Sequence, residues 1–400
     1  MTDSPTPSPK RSKGPLDGLV IADFSRILAG PYATMLLGDL GATVIKVEGP
    51  GGDDTRTWIP PERNGIATYY LGINRNKRSI VLDLKNDEDL VAAKALVDRA
   101  DIMIENFKPG QLGKFGLDYA SVHARNERLI VASISGFGSK GTGAKLMGYD
   151  LMVQALSGLM SLTGDSDGPP YRAGISAFDI IAGLHATIGI LAALEERHRT
   201  GRGQHVEVSL LASALSGLAN HTTAVLAADV IPFRMGNAHP SLHPYELFPT
   251  KDGDLIVIAG NDGQFRSLMN ALGRPEIGED PLFARNESRT QHRGKLVPIL
   301  TELLADKTAE EWFEILNAAG VPSAPIVTVD QGIAFAESFG LEPTISVELD
   351  GTPLELIRNP ILFSETPPTY RLSPPSLGAD TALVKEWLAG RSELNGDTND

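Results

Sequence analysis

From Leu19 onward, short apolar runs alternate with longer stretches in which apolar positions recur every three or four residues. LVIADFS (Leu19 to Ser25) is a run that breaks at polar residues, the pattern of a buried strand. AGPYATMLLGDLGA (Ala29 to Ala42) has helical spacing, with Gly41 placed to end the helix. TVIKVE (Thr43 to Glu48) gives a second strand. Strand, helix and strand together span about 30 residues, the size of one βαβ unit. The alternation continues through SIVLDL (Ser79 to Leu84), a helix at DEDLVAAKALVDRA (Asp87 to Ala100), DIMIENF (Asp101 to Phe107) and RLIVASIS (Arg128 to Ser135). This order predicts an α/β fold with a mainly parallel, doubly wound sheet. Ligands on such sheets sit beyond the carboxyl ends of the strands. The loops after Phe24, Glu48, Asn106 and Ser135 are therefore the places to look for a site.

Helical text follows, first at Asp150 to Leu162 and then over the long apolar stretch Asp179 to Arg199. HVEVSL (His205 to Leu210) leads into a helix reaching about Ala228. YELFPTKDGDLIVIAG (Tyr245 to Gly260) has the pattern of a hairpin turning at Asp252-Gly253. Helices at Gly263 to Leu272, His292 to Leu304 and Ala309 to Ala319 complete a second, smaller α+β domain. Residues 1–14 are a polar Pro/Ser tail, and the residues after Gly390 are polar enough to fray. No apolar run is expected to reach the roughly 20 residues that a membrane helix needs.

The net charge of −14 disfavours nucleic acid and anionic membranes as partners. The chain has no cysteine, which removes disulfides, thiol nucleophiles and Cys-based metal sites and fits a reducing cytoplasm. No G-x-G-x-x-G follows the first strand, and there is no Walker A, H-E-x-x-H or G-x-S-x-G sequence. A nicotinamide or ATP cofactor, a metal and a serine nucleophile are all disfavoured. His239 and His243 sit in a Pro-containing loop and are taken as loop residues.

Four constellations remain. Asp179, in GISAFDIIAGLHA, opens an apolar helix. It is either an N-cap or a carboxylate whose pKa the helix dipole and free N–H groups lower, keeping it ionised as a nucleophile. GGDDTRTW (Gly51 to Trp58) suggests a polar loop with an Asp–Arg pair. NRNKRS (Asn74 to Ser79) is a basic cluster, either a solvated charge run or a phosphate patch that Lys108 and Lys114 would extend. GNDGQ (Gly260 to Gln264) is a Gly-rich turn able to offer backbone N–H groups to an anion. These residues alone name no reaction.

LDGLVIADFSRILAGPYATMLLGDLGATVIKVE, GGDDTRTW, NRNKRSIVLDLK, DIMIENFKPG, GYDLMVQALSGLMSLTG, the Asp179 segment, HRTGRGQHVEVSLL and PYELFPTKDGDLIVIAGNDGQF occur in the order of the class III CoA-transferase family, which includes alpha-methylacyl-CoA racemase. The chain resembles that family from about residue 15 to 390. The resemblance implies a Rossmann-like large domain built from both chain ends (15–225 and 326–400), a small domain at 226–325, and an interlocked homodimer. It places the catalytic aspartate on Asp179. Coenzyme A contacts fall on Ile27, Leu28, Ala29, Val81, Leu82, Asp83, Leu84, Asn106, Phe107, Lys114 and Tyr149. Tyr149 stands where the racemase branch has a histidine, a departure that favours transfer over racemisation. Arg26, Gly260, Asn261, Asp262 and Gly263 are the substrate-binding candidates, and Gly136 and Phe137 are further oxyanion donors. The wording of SRILAGP and GGDDTRTW is closest to transferases that use succinyl-CoA and dicarboxylic acids. Coenzyme A is then substrate, no cofactor is held permanently and no metal is needed. The partners are an acyl-CoA and a carboxylic acid. The alternatives are an acyl-CoA racemase or epimerase and a non-catalytic acyl-CoA binding protein.

Overall fold

Six strands run parallel in one sheet: β1 (Val20–Asp23), β2 (Thr43–Glu48), β5 (Lys77–Val81), β6 (Ile102–Glu105), β7 (Ile130–Ser135) and β8 (His205–Ser209). A two-residue hairpin, β3 (Glu62–Arg63) with β4 (Ile66–Ala67), stands apart from it. The spatial order is β5-β2-β1-β6-β7-β8. The chain moves outward from β1 to β2 and then returns to β1's other side at β6. The strand order therefore reverses between β1 and β6, where open α/β sheets bind ligands. Every residue of β2 is buried, as expected of a parallel strand covered on both faces.

The computed structural model describes residues 14–394. The expected tail lies outside the described residues apart from Gly14. Of the residues after Gly390 that the composition suggested would fray, 391–394 are described and the rest lie outside the described residues. Leu394 is buried in the core beside Val384, Leu96 and Val97, and its carbonyl accepts from Arg78.

Two units are distinguished. One takes the described residues up to Ser157, then Ala173–Thr223 and the residues from Glu342 on. It holds the parallel sheet. The other takes Gly158–Arg172 and Ala224–Leu341. In it β9 (Tyr245–Pro249), β10 (Asp254–Ile258) and β11 (Ser323–Pro325) form an antiparallel sheet. The β9–β10 turn closes with Thr250 N–H donating to Gly253 O at 2.7 Å. Helices Asp262–Ala271, Arg293–Leu304 and Ala309–Ala318 supply Phe265, Leu300 and Trp312 to this unit's core. The His239 imidazole accepts from the backbone of Ser241 and Leu242, and His243 is buried against Glu246 at 2.9 Å. β12 (Thr344–Leu349) and β13 (Thr352–Ile357) form a hairpin in the first unit.

The basic cluster at Asn74 to Ser79 is neither a solvated run nor a phosphate patch. Arg75 and Lys77 are 2% and 1% exposed. Arg75 is bidentate to Asp39, at 3.0 and 2.7 Å. Lys77 lies 3.3 Å from Asp23 and donates to Pro31 O at 2.8 Å, while burial pulls its pKa down to about 7. The strand β5 starts at Lys77, two residues before the apolar text, because these charges find partners inside the fold. A buried pair broken on one side leaves an uncompensated charge. Arg75→Ala is therefore expected to destabilise the protein by about 3–5 kcal/mol, read as a lower urea midpoint.

The helix Ala177–Thr200 reverses another expectation. By length and composition it is apolar enough to cross a membrane. Phe178, Ala182, Gly183, Ala186, Ile190 and Leu194 are nevertheless buried, and the helix packs on β7, β8 and the helix Ala29–Asp39. The approach to Ala29 is close: a Cβ on Gly183 would lie 2.6 Å from the Ala29 carbonyl oxygen. Its apolarity is that of a core helix covered on one side by the sheet.

Candidate active site

The loops after β1 and β6 meet at the point where strand order reverses. Asn106 accepts from Arg26 N–H at 2.9 Å and donates to Arg26 O at 2.7 Å, tying the two loops together. Beyond them opens a cleft of about 390 Å³. Arg26, Ile27 and Ala29 line one side, and Asn106 to Pro109 another. Gly136, Tyr149 and Asp179 also line the cleft. Two of the lining residues, Gly136 and Gly148, touch backbone to backbone, where a Cβ on Gly136 would fall 2.3 Å from the Gly148 Cα.

Asp179 is the third residue of its helix, and Ser176 occupies the N-cap. Asp179 is therefore not the N-cap, and its pKa is not lowered. The free N–H groups at the helix start are taken by another carboxylate: Asp150 Oδ1 accepts from Phe178 N–H at 2.8 Å and Asp179 N–H at 3.1 Å. Gln154 fixes Asp150, donating to Oδ2 at 2.5 Å. Gln154 is itself held by Ala173 N–H at 2.9 Å and Ile175 O at 3.1 Å. Asp179 thus loses the donors expected to lower its pKa and gains a negative neighbour. Burial first, then the charge of Asp150, raise it to about 7. A carboxyl poised near neutrality in a cleft is a candidate reacting group.

Residues 16–381 match CoA-transferase family III. The chain belongs to CoA-transferase family III. It is similar to the succinate–glutarate CoA-transferase of Agrobacterium fabrum, with 42% identity over 96% of this chain and 97% of that protein. The human succinyl-CoA:glutarate CoA-transferase is 38% identical over 94% of this chain and 86% of its own. A crystal structure of a CAIB/BAIF family protein from Brucella suis superposes with a TM-score of 0.84 at 41% identity, covering 94% of this chain and 99% of that one. As a member of family III, the protein is an enzyme that transfers coenzyme A.

Within this CoA-transferase, the cleft brings together Arg26, Ile27, Ala29, Asn106, Phe107, Tyr149 and Asp179. Leu28 is buried at the start of the helix Ala29–Asp39, where its carbonyl accepts from Tyr32 N–H. Val81, Leu82, Asp83, Leu84 and Lys114 are not among the lining residues. Leu82 is in the core, Val81 N–H donates to Thr381, and Asp83 N–H donates to Asp89. Gly260, Asn261, Asp262 and Gly263 belong to the second unit. There the Asn261 side chain caps the helix Asp262–Ala271, accepting from Gln264 N–H. Asp262 is engaged by Asn286 N–H at 2.8 Å and Arg289 at 3.0 Å.

The expected Asp–Arg pair of GGDDTRTW resolves into three pairs. Asp53 meets Lys46 at 2.8 Å, Asp54 meets Arg26 at 3.4 Å, and Glu48 meets Arg56 at 2.7 Å. Sequence reasoning missed Asp150, Gln154 and Tyr69. The Tyr69 ring packs edge-on to Trp58. Its pKa is raised by burial and, further, by the nearby charges of Asp179 and Asp150. Only the adjacency of Asp150 to Tyr149 was visible in the sequence.

Proposed function

We propose that the enzyme moves coenzyme A from an acyl-CoA, with succinyl-CoA as donor, to a dicarboxylic acid through covalent intermediates on Asp179. The observation that carries this reading is a semi-buried carboxyl in a cleft at the sheet's switch point. The dicarboxylate assignment is supported by relatives named for succinate and glutarate.

In the proposed reaction, an Asp179 carboxylate oxygen attacks the thioester carbonyl. The C–S bond breaks, coenzyme A leaves as the thiolate, and an acyl–aspartyl anhydride remains. The thiolate then attacks the Asp179 carboxyl carbon, expelling the donor carboxylate and leaving an aspartyl-CoA thioester. The acceptor carboxylate attacks that thioester, releasing the thiolate and forming a new anhydride. Attack of the thiolate on the acceptor's acyl carbon frees the new acyl-CoA and restores Asp179. Each step replaces one hard exchange with an easier one. The oxyanions need N–H donors in a dry site, and the Gly136 backbone, which lines the cleft, is the proposed donor. Incubation with succinyl-CoA alone, followed by peptide mapping, should find the adduct on the Asp179 peptide. An unmodified Asp179 under turnover conditions would sink this reading.

Arg26 is the proposed partner of the acceptor's distal carboxylate, because a guanidinium binds one bidentately. It lines the cleft and is paired only loosely with Asp54, both side chains being about half exposed. Arg26→Ala should raise the acceptor KM by roughly 10- to 100-fold, the loss of a charged hydrogen bond, with little change in donor KM. An equal rise for both substrates would remove Arg26 from acceptor recognition. The protein is further proposed to act as a cytoplasmic homodimer. Apolar residues left on its surface, such as Ile188 at 63% exposure, support a partner. Light scattering that gave the mass of one chain would reject the dimer.

A further inference from the structure

Ile27 is the one β-branched residue with positive φ among the described residues, at +70°. The other non-glycine positions of this kind hold Asn, Asp or Ala. A β-branched side chain is strained there, and glycine would not be. The strain must be balanced by something that grips the backbone at that residue. The grip is visible. Ile27 N–H points at both carboxylate oxygens of Asp53, 3.3 Å from each. Asp53 is wholly buried and is fixed from three sides. Lys46 Nζ lies 2.8 Å from Oδ2, and the Thr55 N–H and hydroxyl donate to Oδ1 at 3.0 and 2.8 Å. Glu48 takes the Asp53 N–H at 2.9 Å. Lys46 is equally buried, and its remaining reach goes to Ser25 O at 3.1 Å, at the start of the same loop. Two buried charges are thus spent on one backbone amide and one carbonyl of the segment that forms the cleft wall. Ile27 itself lines that cleft.

We propose that Asp53, charge-matched by Lys46, is a positioning residue that locks Ile27 in the left-handed conformation and so sets the wall against which acyl-CoA binds. It touches no substrate and acts through Ile27. The inference rests on the reading of the cleft as the acyl-CoA site.

The test is a set of variants: Asp53→Ala, Ile27→Gly and the two combined. Glycine adopts a φ of +70° without strain, so it removes the need for the latch. Asp53→Ala should raise the CoA dissociation constant and the donor KM by roughly tenfold, with a smaller change in kcat. The double variant should return the dissociation constant to within about threefold of Ile27→Gly alone. A purely structural Asp53 would lower the melting temperature equally in both backgrounds and show no such rescue, and that result overturns the proposal. Deuterium exchange of the peptide spanning Phe24 to Ala33 in ligand-free protein should quicken in Asp53→Ala, and unchanged exchange also overturns it. This readout needs no ligand. Failure of the wild type to bind CoA would therefore sink the functional reading while the latch is still decided. If Asp53→Ala does not fold, Asp53→Asn keeps the volume and should move both measurements in the same direction by less.

Discussion

Asp179→Ala is expected to abolish CoA exchange, with a fall of at least about 10⁴ in kcat, the scale on which losing a covalent nucleophile is felt. CoA affinity should change by no more than a few-fold, because the remaining cleft residues are untouched. The pH dependence gives a second handle. In the proposed reaction only the ionised carboxyl attacks, and burial together with Asp150 holds that group near 7. The donor kcat/KM of the wild type should therefore fall about tenfold for each pH unit below about 7. The same displacement acts on stability with a definite sign. A carboxyl whose folded pKa is raised favours the folded state while protonated. That contribution is complete below its ordinary value of 3.8 and is lost as pH rises through about 7. Asp179→Asn imitates the protonated form. It should be more stable than wild type at about pH 8, by at most roughly 4 kcal/mol, with the gap narrowing as the pH falls below about 7 and closed below the ordinary value of 3.8. A thermal melt series across pH checks this. An inactive variant without the stability gain would mean that the carboxyl is not held protonated by its surroundings.

How far this site could be seen in the sequence depends on the range of the interactions involved. The parallel sheet was legible because its strands are buried runs separated by amphipathic helices, a local pattern. Asp179 was legible as a carboxyl opening an apolar helix. Its electrostatics were not, since the residue that takes its helix's N–H groups lies on the separate helix Asp150–Leu156. The same limit misread Asn74 to Ser79. A cluster of cations reads as surface unless one knows that Asp39 and Asp23 wait in the core. It also hid the left-handed Ile27, because no local rule places an isoleucine there. What depended on family resemblance rather than pattern was the chemistry. Spacing alone would have left a doubly wound domain with one suspicious acid.

Asp150 is expected to tune the nucleophile, and two substitutions separate its charge from its hydrogen bonds. Asp150→Asn keeps an oxygen for the N–H groups of Phe178 and Asp179 and deletes the negative charge. The acidic limb of the pH–rate profile should then move below 7, towards the ordinary carboxylate range. The move should be partial, since burial is the larger cause and remains. This variant has its own cost. Gln154 donates to Asp150 Oδ2 and is held in place by Ala173 N–H and Ile175 O, so it cannot turn to accept. The new amide NH₂ would face that donor, an unsatisfied buried contact worth about 1–3 kcal/mol. Asp150→Ala removes both functions. Two amides at the start of the catalytic helix then lose their acceptor, at a further cost of about 1–2 kcal/mol, and Asp179 becomes the nearest carboxylate able to take them. An Asp179 that turns to cap its own helix is ionised but aimed at the backbone instead of at the thioester. Asp150→Ala should therefore show a low acidic limb together with a strongly reduced kcat, whereas Asp150→Asn shows the low limb with kcat largely kept. Profiles in which both variants retain the wild-type limb near 7 would rule out Asp150 as a source of the displacement.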